Sequence, residues 1–131
     1  MSYLKSQSAI EFVILLGAMI FFFVGISYAF YTNISEKTQK QKTLEFEETA
    51  KTVRIEIELA SSSTNGYERI FTIPEKITNT DYNITLVENY IYIQSYDQKN
   101  SLALPVKNVT GQIQKGNNLI RKLNGEVFLN E

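Results

Sequence analysis

The residue whose position most suggests chemistry is Glu11, a carboxylate that immediately precedes a long apolar segment. An ionised carboxylate at the edge of such a segment is costly unless a specific partner neutralises it. A glutamate near a helix N-terminus is alternatively stabilised by the helix dipole, without a further partner. Glu11 therefore predicts either a charge partner in another molecule or a favourable position at the start of a helix.

Few other residues offer chemistry. The 131-residue chain contains no histidine and no cysteine, which excludes imidazole bases, thiolate nucleophiles, disulfides and the usual zinc or copper ligands. No dense carboxylate cluster at motif spacing replaces them. The formal net charge of -1 leaves no basic surface for many phosphates, so nucleic acid is not an expected partner. We expect neither an enzyme nor a cofactor or metal.

Residues 12–31, called the apolar segment below, contain no charged side chain. About 20 residues in a helix rise roughly 30 Å, the thickness of the hydrocarbon core of a bilayer. Lysines stand on both flanks, at Lys5 and at Lys37, Lys40 and Lys42, so positive charge does not decide the topology. The segment predicts a helix that can cross a membrane.

Small residues interrupt the apolar segment. Gly25 and Ala29 form a small-xxx-small step, which permits close approach of a second helix. Glycine is also common in ordinary transmembrane helices. The step therefore supports helix association only in combination with other features.

The helical pattern continues beyond the apolar segment and becomes amphipathic. Residues compatible with one helical face are Ile34, Thr38, Gln41, Leu44, Ala50, Val53, Ile57 and Ala60. We predict a helix over about residues 9–60, either continuous or kinked once near Thr32 and Asn33. The polar residues and glycine of 61–66 are expected to end it.

In the second half of the chain the hydrophobic period changes to two, which is typical of strands. Residues 82–87 and 90–94 alternate in this way, and only Glu88 and Asn89 separate them, the length of a tight hairpin turn. The weaker strand candidates are residues 67–73, 102–106, 109–113, 119–123 and 127–129, with a second hairpin turn at Asn124-Gly125.

The two patterns together predict an α+β fold. A long N-terminal α-helix, apolar in its first half and amphipathic in its second, packs against a small antiparallel β-rich C-terminal head. A small sandwich or curled sheet must bury its open face on another element. The C-terminal half of the helix, with Leu44, Val53 and Ile57, is the available partner.

The residues that lead into the apolar segment read Lys5-Ser6-Gln7-Ser8-Ala9-Ile10-Glu11-Phe12. This arrangement resembles the class III signal peptide of archaeal type IV pilins, in which a short basic leader is cut before a glutamine and a Gln-x-x-x-Glu-Phe box opens the hydrophobic helix. Ala9 stands where the family often has serine. The resemblance covers residues 5–31 of the chain.

The resemblance implies a prepilin peptidase cut between Ser6 and Gln7, and an assembly role for Gln7, Glu11 and Phe12. The free amine of Gln7 in one subunit is then the expected partner of Glu11 in a neighbouring subunit. Cleavage on this side of the helix leaves the apolar segment on the mature chain, unlike ordinary secretion, in which it is removed.

By the same resemblance the chain is a subunit of a homopolymeric type IV pilus-like filament on the archaeal cell surface, with adhesion as the expected role. The precursor is inserted in the membrane, and an assembly ATPase with a membrane platform protein builds the filament. The pilin-like domains are then residues 1–6, a leader peptide; 7–33, a transmembrane and filament-core helix; 34–60, its amphipathic continuation; 61–66, a linker; and 67–131, the head.

Three triplets of the form Asn-x-Ser/Thr begin at Asn33, Asn83 and Asn108. Such triplets are acceptors of N-linked sugars and fit a glycosylated surface protein. Asn83 and Asn108 lie in the predicted head and are better candidates than Asn33, which lies on the predicted helix near the apolar segment.

Tyrosines are concentrated around the best predicted hairpin, at Tyr82, Tyr90, Tyr92 and Tyr96. Packing of cross-strand aromatic pairs is one explanation for them. An adhesive or inter-subunit surface is the other.

Two other outcomes of processing compete with the pilin type. Ser27-Tyr28-Ala29 has the small-x-small form of a signal peptidase site, and cleavage there would release a conventionally secreted β domain that begins at Phe30. Without any cleavage, the chain would be a single-span, membrane-anchored protein with an external binding head. N-terminal sequencing separates the three, because the mature chain begins at Gln7, Phe30 or Met1.

Overall fold

The computed structural model describes the backbone of residues 2–131 and the side chains of residues 6–131. One helix, α1 (Ser2–Ser62), is followed by seven strands. The strands are β1 (Glu68–Ile73), β2 (Tyr82–Val87), β3 (Tyr90–Ser95), β4 (Ser101–Pro105), β5 (Thr110–Gly111), β6 (Gly116–Leu123) and β7 (Glu126–Leu129). The predicted α+β fold with a long N-terminal helix is confirmed.

The helix α1 is uninterrupted in its backbone hydrogen bonding, including at the position where a kink was an option. Thr32 Oγ1 and Asn33 Nδ2 both donate to the carbonyl oxygen of Ala29, at 3.0 and 2.9 Å. These polar side chains therefore find hydrogen-bond acceptors within the helix backbone. No proline occurs before Pro74 in the sequence to break the run. The chain divides into two compact units, residues 1–39 and residues 40–131, and α1 has residues in both.

The C-terminus of α1 is capped from a distant strand. The Nζ atom of Lys122, in β6, donates to the carbonyl oxygens of Ser61 and Ser63 at 2.6 and 2.8 Å. The last carbonyls of a helix have no intrahelical partner and carry partial negative charge, so a lysine is well suited to them. Helical structure extends through Ser62, two residues into the predicted linker.

The strands form two sheets. Within the second compact unit, one sheet has the order β1-β6-β7-β5 and the other the order β2-β3-β4. The predicted hairpin at Glu88-Asn89 is present, with Val87 paired to Tyr90 across the turn. The second hairpin is also present, and Asn124 and Gly125 have φ values of 51° and 83°, as a type I′ turn requires.

One strand pair differs from the predicted antiparallel head. β5 runs parallel to β7, and the strand predicted at residues 109–113 is reduced to Thr110–Gly111. The shortness of β5 has a local reason, because Gly111 has a φ of 117° and lies so close to β7 that a Cβ atom would be 1.9 Å from the carbonyl oxygen of Leu129. An ordinary strand residue does not fit there.

The core of the second unit lies between α1 and the inner faces of both sheets. The helix contributes the buried residues Phe46, Ala50, Val53, Ile57 and Ala60, which cluster with residues such as Ile73, Tyr82, Ile93, Ile120 and Leu129. The predicted use of Val53 and Ile57 as partners for the sheets is confirmed.

The predicted core role of Leu44 is wrong, because its side chain is 58% exposed. Phe46 takes the place instead, and its ring meets that of Tyr82 edge to face with centroids 6.0 Å apart. The core positions of α1 follow steps of three and four residues from Phe46 to Ala60. Leu44 is two residues from Phe46, which at about 100° per residue points it away from the core.

Candidate functional site

The apolar segment is the most unusual surface of the described chain. Every large apolar side chain in it is exposed, from 46% at Leu16 to 77% at Phe21. Among the described residues, α1 is the one helix long and apolar enough to cross a membrane, and its most apolar stretch has no buried residue. A signal sequence near an N-terminus has the same two properties.

Water is a poor solvent for this segment. Burying one large aliphatic or aromatic side chain contributes about 1.5–3 kcal/mol. The whole segment therefore gains on the order of tens of kcal/mol when lipid or other apolar helices cover it, before the cost of ordering. The geometry offers a surface for insertion and for helix association.

The two glycines of the apolar segment have no role in packing within the described chain. A Cβ atom built at Gly17 or at Gly25 meets nothing within 4 Å. Glycine inside a helix costs about 1 kcal/mol relative to alanine. Close approach by another helix at the Gly25 and Ala29 step would offset that cost. The described part of the chain contains no such contact.

Glu11 lies well inside the helix of the uncut chain. α1 begins at Ser2 and has no acidic residue in its first turn. Stabilisation by the helix dipole falls off within the first turn, so the dipole alone does not explain Glu11 before cleavage. Within the chain its carboxylate accepts a hydrogen bond of 3.5 Å from the amide of Gln7, one turn earlier, at the long limit for such a bond.

The predicted cleavage junction, Ser6 to Gln7, is helical and exposed. It lies within the first two turns of α1, and the ends of helices fray more readily than their middles. Of the predicted leader, residues 1–6, the side chains of residues 1–5 lie outside the described residues, and with them the charge of Lys5.

The three predicted glycosylation acceptors have different surroundings. The Nδ2 atom of Asn33, the atom that would carry the sugar, donates to the carbonyl oxygen of Ala29 in the helix. Asn83 is exposed and points outward from β2. Asn108 is exposed in the irregular segment between β4 and β5.

The tyrosines around the β2-β3 hairpin have different surroundings. Tyr82 is fully buried, and its hydroxyl donates to the carbonyl oxygen of Pro74. Burial, with a smaller contribution from the charge of Glu75, raises the pKa of Tyr82 to about 12. Tyr90 and Tyr92 are each 45% exposed on the outer face of the second sheet.

That outer face is a feature that was not predicted as a unit. The outward residues of β2, β3 and β4 are Asn83, Thr85, Val87, Tyr90, Tyr92, Gln94, Ser101, Ala103 and Pro105. None is charged. The sequence could have identified this face, because strand alternation and the hairpin turn at Glu88-Asn89 place every second residue of β2 and β3 on the same side of the sheet.

Among the described residues, no group of three or more histidine, cysteine, aspartate or glutamate side chains is placed to hold a metal ion. Asn118 is a buried polar side chain with a structural role. Its Oδ1 accepts a hydrogen bond from the backbone N–H of Gln114, and its Nδ2 donates to the carbonyl oxygens of Gln114 and Gly116.

Comparisons with protein-family models, with curated proteins and with solved structures found no match to this chain. Any assignment of function therefore rests on its own residues, above all on Gln7, Glu11 and the apolar segment that follows them.

Proposed function

We propose that this chain is a structural subunit of a type IV pilus-like filament on the surface of an archaeal cell, that it is processed before Gln7, and that it polymerises through its apolar segment. Adhesion is the proposed role. The observation that carries the proposal is the complete exposure of the apolar segment in a helix whose later turns enter the core of a folded head.

Polymerisation accounts for this exposure after the chain leaves the membrane. A lone apolar helix outside lipid is insoluble, but copies of it shield one another. Contacts that repeat head to tail without closing produce a helical filament. In the membrane the same segment is the anchor of the precursor.

Glu11 favours a filament over a simple anchor. Cleavage before Gln7 places a free amine and the Glu11 carboxylate one helical turn apart at the end of every subunit. Close packing with a stagger along the filament axis then pairs the amine of one subunit with the carboxylate of another. Such a pair removes the cost of a lone charge in an apolar bundle.

The proposal implies several partners. Other copies of the chain form the filament, and the membrane holds the precursor. A prepilin peptidase, an assembly ATPase and a membrane platform protein process and export it. The near-neutral formal charge of -1 gives no reason to expect nucleic acid as a partner.

Replacement of Glu11 tests the proposal at its most specific residue. We expect Glu11→Ala to leave membrane insertion and cleavage intact but to reduce the chain in sheared surface filaments by at least about tenfold, the effect of about 1.4 kcal/mol per contact. Immunoblots of sheared and membrane fractions measure the ratio.

The matched control is Glu36→Ala, which removes an exposed carboxylate from the same helix outside the apolar segment. It is expected to assemble like the unmodified chain. Normal filaments of Glu11→Ala would show that the carboxylate has no partner in assembly.

A further inference from the structure

The outer face of the sheet β2-β3-β4 is a grid of three rows, called the tyrosine face below. Its rows are Asn83, Gln94 and Ser101; Thr85, Tyr92 and Ala103; and Val87, Tyr90 and Pro105. The rings of Tyr90 and Tyr92 lie side by side with centroids 6.2 Å apart and planes inclined by 41°. Apart from the hydroxyl of Thr85, apolar and aromatic side chains thus occupy two rows, and amides and a hydroxyl fill the third.

The absence of charge sets this face apart from the other sheet. The outward positions of β1, β6 and β7 include the charged residues Glu68, Arg121 and Glu126, together with the exposed apolar residues Ile70 and Leu123. On the tyrosine face no position carries a charge, and Val87 is 53% exposed beside the two half-exposed tyrosines. Large contiguous apolar patches on a folded domain mark interaction sites.

An uncharged carbohydrate fits this composition. The C–H faces of a sugar ring pack on tyrosine rings, and its hydroxyls require donors and acceptors of the kind that Gln94, Ser101 and Thr85 supply. A charged ligand has no complementary group here.

The chain itself brings a sugar acceptor to this face. Asn83 and Thr85, the two required residues of one Asn-x-Thr triplet, both point outward from β2, which is one of the two edge strands of its sheet. Tyr92 is directly opposite Thr85 and therefore diagonal to Asn83. Diagonal neighbours on a sheet are about 7–8 Å apart, within reach of one sugar ring.

We propose that Asn83 carries an N-linked oligosaccharide and that its first, uncharged sugars lie on the tyrosine face against Tyr92 and Tyr90. The glycan is the occupant of the face, and its tether gives it a high effective concentration there. The covered tyrosines and the glycan then stabilise one another on the outside of the head.

The covalent step uses a lipid-linked oligosaccharide as its co-reactant. The Nδ2 atom of Asn83 forms a bond to the anomeric carbon of the first sugar. The bond from that carbon to the phosphate oxygen of the lipid carrier breaks, and the lipid phosphate leaves with the bonding electron pair. One amide proton passes to solvent, and nothing is oxidised or reduced.

Asn83 is favoured over the other two acceptors by its surroundings. The amide of Asn33 is already hydrogen bonded within α1, and Asn108 occupies no position of the tyrosine face. Asn108 is thus a matched control, an exposed acceptor of the same head without the aromatic surface.

The inference rests on the proposed function in one respect, since transfer from a lipid carrier requires the head to be outside the cell. Its test is separate. The full chain is isolated in detergent from native membranes as the unmodified protein and as Asn83→Gln, Asn108→Gln, Thr85→Ser and Thr85→Val. Each is treated with tetranitromethane, and nitration at each tyrosine and sugar mass at each asparagine are measured by peptide mass spectrometry.

We expect an uncharged sugar mass on Asn83 and several-fold more nitration of Tyr90 and Tyr92 in Asn83→Gln and Thr85→Val than in the unmodified chain. Thr85→Ser keeps the triplet and is expected to keep the protection, as is Asn108→Gln. Tyr96, which is 70% exposed and lies after β3, serves as the internal reference and should react equally in all variants.

Two results would overturn the inference. One is an unmodified Asn83 in native membranes, and the other is equal nitration of Tyr90 and Tyr92 with and without the sugar. Electron microscopy of the same cells distinguishes the two proposals. Cells without filaments in which Tyr90 and Tyr92 are still protected from nitration would reject the filament proposal alone. Filaments whose subunits carry no sugar on Asn83 would reject the glycan proposal alone.

Discussion

Gly111 is the residue at which the fold leaves no space for a side chain. It combines a left-handed φ of 117° with a backbone contact to β7, and both conditions require glycine. Glycine at this position therefore allows β5 to approach β7 at the edge of the first sheet.

Gly111→Ala is expected to destabilise the head by more than about 3 kcal/mol, because a Cβ atom cannot lie 1.9 Å from the carbonyl oxygen of Leu129 and the backbone must move. Urea denaturation of the full chain in detergent, followed by circular dichroism, measures the loss.

Gly125→Ala is the control for the cost of positive φ alone. Gly125 has a φ of 83°, but a Cβ atom there meets nothing within 4 Å. We expect a loss of about 1 kcal/mol. Equal losses in the two variants would show that the contact with Leu129 is unimportant.

Tyr82 makes the stability of the head sensitive to alkaline pH. Its pKa is about 12 in the fold and 10.0 when unperturbed, so the fold favours the neutral phenol. The stabilising contribution is complete below pH 10. As the pH rises from 10 to 12 the unfolded chain loses this proton first, and the free energy of unfolding falls.

Tyr82→Phe is expected to lower stability at neutral pH, since the hydrogen bond to the carbonyl of Pro74 is lost, and to flatten the decline of stability between pH 10 and 12. Denaturation midpoints across this range measure the slope, with Tyr96→Phe as an exposed control. An unchanged slope in Tyr82→Phe would mean that Tyr82 is not the group responsible.

At the scale of elements, the end of α1 depends on a strand far along the sequence. Ser61 and Ser63 leave carbonyls unpaired by the helix, and Lys122 in β6 supplies the missing donors. Local sequence indicates that the helix ends in this region but contains no basic residue in the last turn. The cap is a product of tertiary packing.

Lys122→Met keeps most of the aliphatic length of the side chain and removes its charge and both hydrogen bonds. We expect the head to lose about 1–2 kcal/mol of stability. Lys107→Met, at an exposed lysine between β4 and β5, is expected to have no measurable effect. Equal denaturation midpoints for the two variants would contradict the capping role.

The strands were predictable where turn chemistry and alternation agree. Glu88-Asn89 and Asn124-Gly125 each lie between alternating segments, and both hairpins formed with the expected registers. Pairing between distant strands was not predictable. β1 pairs with β6, and no local signal connects Ile70 with Leu119.

The helix face shows a further limit of periodicity. Val53 and Ile57 were assigned to the core correctly, whereas Leu44 is exposed and Glu56 is almost buried, with its carboxylate 3.5 Å from the guanidinium of Arg69. Hydrophobicity alone favours Leu44 over Glu56. The position around the helix decides burial, and a charged partner on β1 makes the buried glutamate tolerable.

At the scale of the molecule, one part of the chain is suited to water and another part to an apolar environment. Residues 40–131 form a compact unit with a closed apolar core. The apolar segment, by contrast, has no partner within the described chain. The exposed apolar segment was predictable from its own residues, since a segment without any charge needs no tertiary information. The roles of Gln7 and Glu11 in assembly stay predictions.

The most direct measurement is the N-terminal sequence of the chain in filaments sheared from native cells. We expect the chain to be a component of these filaments and to begin at Gln7, with the apolar segment intact. Recovery of the native protein as a soluble monomer that begins at Phe30 would contradict the account, because the surface proposed to hold the filament together would be missing from the mature molecule.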